Sequence, residues 1–216
     1  MRMTKPAPHF DDEFRTRLTE LFAWRRDVRR FRPDPVSEDT LTRLLAVADG
    51  APSVGLSQPW RFVLVADPAR RAAIAESFER ANNDALSSYD GDEARLYATL
   101  KLQGLTEAPV HLAVFCAPNP GKGKGLGRRT MPETLAYSTV AAIQTLWLAA
   151  RAEGIGLGWV SILEPDRIGD ILDVPPEWRF IAYLCIGYPL TTDDTPELER
   201  SGWEERSDPS DRIFNR

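Results

Sequence analysis

The chain has 216 residues, 43% hydrophobic and 27% charged, with a formal net charge of −5; it is long enough to bury a full core and too apolar to be disordered. The acidic balance excludes the basic footprint of a nucleic-acid binder and electrostatic docking on a membrane. No apolar stretch approaches the roughly 20 residues that span a bilayer. The segment Met1–Asp12 is mixed polar and lacks the apolar core of a signal peptide. The two cysteines, Cys116 and Cys185, each sit in an apolar run, the pattern of packed, reduced thiols in a cytoplasmic protein.

After a polar lead-in (1–13), Phe14, Leu18, Leu21 and Phe22 recur at helical spacing and predict a helix ending near Trp24. An arginine-rich segment follows, and Pro33 and Pro35 stop any helix there. Ser37 is placed to cap a second helix with the apolar face Leu41, Leu44, Leu45 and Ala48. Residues 51–60 form a Pro- and Gly-containing loop, 62–66 a buried strand, and Pro68 suits the first turn of the next helix. Residues 82–104 look like a mobile excursion outside the core, with a short helix over 94–102. Val110 to Cys116 is a second apolar strand, followed by a loop over 118–129. From Pro132 to Glu153 the pattern is a long helix, apolar on nearly every side between Leu135 and Ala150, and so buried all round or lying in a subunit interface. A strand over 157–161, a short helix after Pro165 and a strand over 180–187 complete the set. Beyond Pro189 the chain is polar and lies across a surface. Interleaved helices and strands with no composition break over 14–189 predict one α/β or α+β domain around one sheet.

Five of the eight residues Arg25 to Arg32 are arginines and one is an acid. Forked guanidinium groups suit phosphate, and a solvated charged turn is the other reading. The loop Pro52-Ser53-Val54-Gly55-Leu56-Ser57-Gln58-Pro59-Trp60 offers close backbone approach and hydrogen-bonding groups for a flat ligand, or merely a stiff connection. The Gly- and Lys-rich segment 121–127 fails both phosphate-loop tests, having neither GxGxxG spacing nor a Gly-Lys-Ser/Thr ending, and reads as a flexible surface loop. His9 and His111 are the two histidines; with two scattered cysteines they give no metal-site spacing. No Gly-x-Ser-x-Gly elbow surrounds a serine, which argues against a hydrolase. Trp60, Trp147, Trp159 and Trp178 are read as core.

Taken together, Arg25-Arg26-Asp27-Val28-Arg29-Arg30-Phe31, the 51–62 loop, Thr130-Met131-Pro132-Glu133, Gly156-Leu157-Gly158-Trp159-Val160-Ser161 and Gly187-Tyr188-Pro189 resemble the nitroreductase superfamily. Asp27 within the arginine motif, the Pro-Ser-Val-Gly-x-x-Gln-Pro-Trp loop and Gly-Trp-Val-Ser point more narrowly to its flavin-destructase branch. The resemblance covers Phe14 to Arg206 and implies one domain over 14–206, a lid over about 83–104, and a tail, 207–216, without counterpart. It implies an α+β fold with a mainly antiparallel sheet flanked by helices, in an intertwined homodimer with FMN at the subunit interface. The implied reaction is oxygen-dependent fragmentation of reduced FMN to 5,6-dimethylbenzimidazole, the lower ligand of vitamin B12, and erythrose 4-phosphate. FMN is then a substrate, molecular oxygen a co-substrate, and a separate NAD(P)H-dependent flavin reductase the partner. By the same resemblance Arg25, Arg26 and Arg29 hold the phosphate and ribityl side, with Val28 in the same binding stretch. Asp27 and Ser161 are the catalytic pair, both touching the flavin, and Ser53 lines the ring pocket; no metal is implied. The alternatives are an FMN-dependent NAD(P)H nitroreductase or dehalogenase, and a non-enzymatic flavin carrier.

Overall fold

The computed structural model describes residues 6–99 and 103–216. Its elements in chain order are α1 (Asp12–Trp24), α2 (Glu38–Asp49), β1 (Trp60–Leu64), α3 (Pro68–Leu86), α4 (Gly91–Thr99), α5 (Gly104–Glu107), β2 (Val110–Cys116), α6 (Thr134–Ala152), β3 (Gly156–Val160), α7 (Pro165–Leu172), β4 (Arg179–Gly187) and α8 (Glu197–Arg200). The four strands form one sheet in the order β1-β2-β4-β3, and every neighbouring pair is antiparallel. That decides between the two fold classes the sequence left open: the domain is α+β.

Both faces of the sheet are covered, so its central strands show no apolar–polar alternation. Leu112 and Val114 of β2 with Leu184 and Ile186 of β4 pack under α2 and α6, against Leu44, Ile143 and Leu146. Ala113 and Phe115 with Tyr183 and Cys185 face the other way, against Ile74, Leu105 and Ile168 from α3, α5 and α7. Cys116 and Cys185 are buried free thiols. Ser37 accepts from the Thr40 amide at the start of α2, and Asp67 caps α3 with Pro68 in its first turn.

Some boundaries differ from those expected. The first strand occupies 60–64, not 62–66. Residues 82–86 belong to α3 and not to a loose excursion: the Asn82 side chain accepts a hydrogen bond from the Tyr97 hydroxyl at 3.0 Å, a tertiary contact that outweighs the weak helix preference of Asn-Asn-Asp. The helix expected over 94–102 starts earlier, at Gly91, and is described to Thr99; 100–102 lie outside the described residues, as do 1–5 of the expected lead-in. The long helix α6 is not covered all round. Leu135, Ala142, Ile143, Leu146, Trp147 and Ala150 are buried, whereas Tyr137 and Val140 are 59% and 42% exposed. On α1 no residue is buried, and Phe14, Leu18 and Phe22 lie open at four-residue spacing. Among the described residues no helix is long and apolar enough to cross a membrane.

Candidate flavin site

The arginine-rich segment is neither a turn nor a tail. It is an extended rail fastened at both ends. Asp27 forms a parallel bridge with Leu157 on the free edge of β3, and the Val28 amide donates to the Leu157 carbonyl at 3.1 Å. Four residues on, Phe31 bridges Pro189, and Arg32 and Leu190 complete the pairing through Tyr188 and Arg30. The Gly-x-Gly of β3 makes the first fastening possible. A Cβ on Gly158 would sit 2.2 Å from the Val28 carbonyl oxygen, and one on Gly156 would sit 2.7 Å from Val28 Cγ2. Val28 is therefore the anchor of the rail, its side chain packed into the space the glycines leave.

In an extended segment alternate side chains share a side, which places Asp27 and Arg29 together. The Asp27 carboxylate accepts the Trp159 amide at Oδ1, 2.8 Å, and its Oδ2 lies 3.6 Å from Arg29 Nε. Arg29 is nearly enclosed, with 13% of its side chain exposed, and its other acidic neighbour, Glu197, is 3.7 Å away. Neither contact is a hydrogen bond, so Arg29 Nε and Nη1 are buried without an acceptor. Leaving guanidinium N–H groups unpaired is costly, and forked oxygens of a phosphate are the group that satisfies them. By this criterion the site fits an anionic ligand.

The other arginines divide by role. Arg25 stacks over the Trp147 ring at 4.7 Å. Arg26 donates to the Asp194 carbonyl through Nε at 2.8 Å and again through Nη2. Burial and the neighbouring cation Arg206 both depress the proton affinity of Arg25 and of Arg26, although Asp27 opposes this at Arg25; a cluster of this kind attracts a counter-anion. Arg30 is spent elsewhere, paired with Glu107 at 3.3 Å, whose other oxygen accepts the Phe31 amide.

Asp27 has the most consequential electrostatics. Desolvation raises its pKa above the ordinary carboxylate value, with the Trp159 amide and Arg29 pulling the other way and Glu197 adding to the rise. The group lies deep, at the junction of two chambers of about 230 and 400 Å³, both lined by Arg26, Asp27, Arg29, Trp147 and Glu197. Even so, 37% of its side chain remains open, so a ligand in the chambers reaches it.

Four wall residues were not assigned to the site by the sequence reading. Trp147 and Trp159 pack in or against the core, as read, and also face the site: Trp147 lines both chambers and Trp159 the one of about 400 Å³, their rings 6.4 Å apart. Arg206 and Glu197 come from the chain after β4. Only a long-range fold brings these together, and no local pattern announces them.

Ser161 is exposed, two residues beyond Trp159 and so about 7 Å along the chain from the amide that holds Asp27. Ser53 is placed elsewhere. Its hydroxyl accepts the Gln58 amide, and the next amide, Val54, donates to Ser138 at the N-terminal half of α6. Trp147, on the arginine side, is nine residues further along α6, about 13 Å at the helical rise. One chain therefore does not bring Ser53 to Asp27. The Ser53 loop is itself strained, with Leu56 and Gln58 at φ +56° and +46°, a cost that clusters at functional segments. The Gly- and Lys-rich loop, expected to be free, is seated on it: a Cβ on Gly55 would be 2.9 Å from the Gly123 carbonyl, and Lys122 donates to the Gln58 side chain at 2.8 Å. Among the described residues no group of three or more His, Cys, Asp or Glu could hold a metal ion.

Comparison with known proteins matches the profile of the nitroreductase family over residues 22–188. A 5,6-dimethylbenzimidazole synthase from Rhodospirillum rubrum is 57% identical over 94% of this chain and 96% of its own length. One from Rhodobacter capsulatus is 54% identical over 91% of this chain and 95% of its own. Among solved structures, an oxidized iodotyrosine deiodinase bound to FMN and 3-iodo-L-tyrosine superposes with a TM-score of 0.68 at 26% identity, covering 82% of this chain and 91% of that one.

Proposed function

Because the chain belongs to the nitroreductase family, and because its near-full-length relatives are 5,6-dimethylbenzimidazole synthases, we infer that it is an enzyme of that kind, fragmenting reduced FMN with molecular oxygen to give 5,6-dimethylbenzimidazole and erythrose 4-phosphate. The observation that carries the reading is a pairing on one rigid rail: Arg29, whose buried Nε and Nη1 lack acceptors, beside Asp27, whose proton affinity is raised. The first is a grip for a phosphate, the second an acid–base group matched to work nearer neutral pH than a free carboxylate.

The reduced flavin supplies the electrons for oxygen and the carbon skeleton of the product. Arg25, Arg26, Arg29 and Arg206 hold its phosphate and ribityl side by charge-assisted hydrogen bonds. Trp147 and Trp159 wall off water, and exclusion of water suppresses side reactions. Asp27 takes up and returns a proton at Oδ2, the oxygen not engaged by the Trp159 amide. Ser161 presents its Oγ to the ring edge. The hairpin of α3 and α4, part of the lid expected over 83–104, covers the ring, leaving no berth for a nicotinamide, so a separate NAD(P)H-dependent reductase delivers the reduced flavin.

A homodimer completes the site. Ser53 and Asp27 sit toward opposite halves of α6, and the midpoint between Ser138 and Trp147 falls among the exposed residues Val140 and Gln144. A two-fold axis there is the isologous arrangement of a closed dimer. It places the Ser53 loop of one copy over the arginine chambers of the other, and it covers Tyr137, Val140 and the open stripe of α1.

Incubating the protein with reduced FMN and air tests the activity. The expected result is 5,6-dimethylbenzimidazole with loss of flavin. NAD(P)H oxidation through a flavin recovered intact, with no benzimidazole, would replace it by a turnover oxidoreductase. Tight binding with neither reaction would leave a carrier.

A further inference from the structure

Beyond Leu190 the chain after β4 touches the arginine rail at two places and lines the chamber beside it. The Asp194 carbonyl accepts from Arg26, Glu197 faces Arg29, and Leu198 and Arg206 line the larger chamber. This strap, residues 193–206, is polar and carries one large aromatic, Trp203, which is half-buried. Trp203 does not pack on the rail. Its ring meets Tyr89 edge-on at 5.7 Å and Tyr97 at 6.1 Å, and those two tyrosines stack on each other at 5.0 Å across the turn between α3 and α4. The Tyr97 hydroxyl is in turn tied to Asn82 on α3. The hairpin is thus internally braced, and Trp203 joins the brace to the strap. The Trp203 amide donates to the Leu198 carbonyl at 2.9 Å, so the residue that carries the ring is hydrogen-bonded to a residue of the chamber wall. Arg206 is three residues on, within about 10 Å of chain.

We propose that Trp203 is a positioning residue for the flavin site: it ties the α3–α4 hairpin to the strap, so that phosphate held at Arg206 and the rail draws the hairpin down. This rests on the proposed flavin site. It adds to it a physical link between grip and cover, made of aromatic contacts that separate as one unit.

Hydrogen exchange with oxidised FMN as the ligand tests the link without requiring turnover. In the wild type FMN slows exchange in both the strap and residues 87–97. In Trp203→Ala the protection of the strap persists, that of 87–97 is lost, and FMN binds roughly tenfold more weakly, the scale of two aromatic pairs. Trp203→Phe restores both. With reduced FMN and air, Trp203→Ala yields less benzimidazole and more peroxide per flavin oxidised. Unchanged protection of 87–97 in Trp203→Ala, whether or not its melting temperature falls, overturns the proposal, as does a wild-type hairpin indifferent to FMN. Should Trp203→Ala not fold, Tyr89→Leu breaks the same contact from the other side and carries the same expectations. Failure of the wild type to form benzimidazole contradicts the proposed activity and leaves the exchange result standing.

Discussion

Replacing Gly158 by alanine probes how the site is built. The added Cβ would fall 2.2 Å from the Val28 carbonyl oxygen and 3.3 Å from its carbon, so the rail must retreat from β3 by about 1 Å to reach an ordinary contact. That retreat strains or breaks the bond from the Val28 amide to Leu157 at 3.1 Å and the one from the Trp159 amide to Asp27 at 2.8 Å. A neutral hydrogen bond contributes about 1 kcal/mol and one to a charged group about 2 kcal/mol, while overpacking by itself costs about 1–3 kcal/mol. Some of this is recovered by relaxation, and the expected loss is about 3 kcal/mol in urea unfolding. FMN affinity, read by quenching of flavin fluorescence, falls at least about tenfold because Asp27 and Arg29 ride on the displaced rail. Gly169→Ala is the control. Its Cβ meets only Val174 Cγ2 at 3.9 Å inside α7, and a helical Gly-to-Ala change adds about 0.5–1 kcal/mol. If Gly158→Ala unfolds at the wild-type urea concentration and binds FMN as tightly, the rail is not held as described.

If Arg29 is the proposed phosphate grip, Arg29→Ala weakens FMN about thirtyfold or more, since truncating one partner of a buried charged pair costs about 2 kcal/mol at least; a change under threefold in a titration would move the phosphate elsewhere. His111 is buried against the Tyr183 hydroxyl at 2.8 Å, and burial with the nearby Arg71 cation lowers its pKa to about 4. The unfolded chain takes up a proton near pH 6.5 while the folded one does not, so stability declines as pH falls from 6.5 toward 4, by up to about 3 kcal/mol. Urea melts should show that decline and a shallower one in His111→Gln; parallel curves would contradict it. Because the raised pKa of Asp27 means stability is lost as pH rises through it, Asp27→Asn should be at least as stable as the wild type at pH 8. Val140→Glu should convert a dimer to a monomer in size-exclusion chromatography and lower FMN affinity with it.

Much of the fold was legible locally. Ser37 and Pro68 marked helix starts because capping and proline act within one turn, and β2 and β4 announced themselves as apolar runs because both their faces are buried. The nature of the arginine segment was not legible, since its fastening is to Trp159, 132 residues away. A signal did exist in Gly156 and Gly158: paired glycines inside a strand mark a close backbone approach. Trp147 is core as read, with Trp159 packed against the same cluster; their further part in the chamber wall was not legible, because a ring that walls a chamber has the same spacing as one that only packs. Glu197 and Arg206 come from a stretch with no periodicity. The Gly- and Lys-rich loop looked free because its glycines suggest flexibility, whereas four of them at φ of +72° to +78° shape a surface that lies against the Ser53 loop.

The separation of grip from chemistry is tested most directly in Asp27→Asn, measuring FMN affinity and benzimidazole yield from reduced FMN on the same preparation. With the Trp159 bond kept by the amide oxygen and Arg25, Arg26 and Arg29 intact, FMN should bind within about threefold of the wild type, while product disappears. Product at the wild-type rate would remove Asp27 from the chemistry, and loss of binding together with product would make it part of the grip.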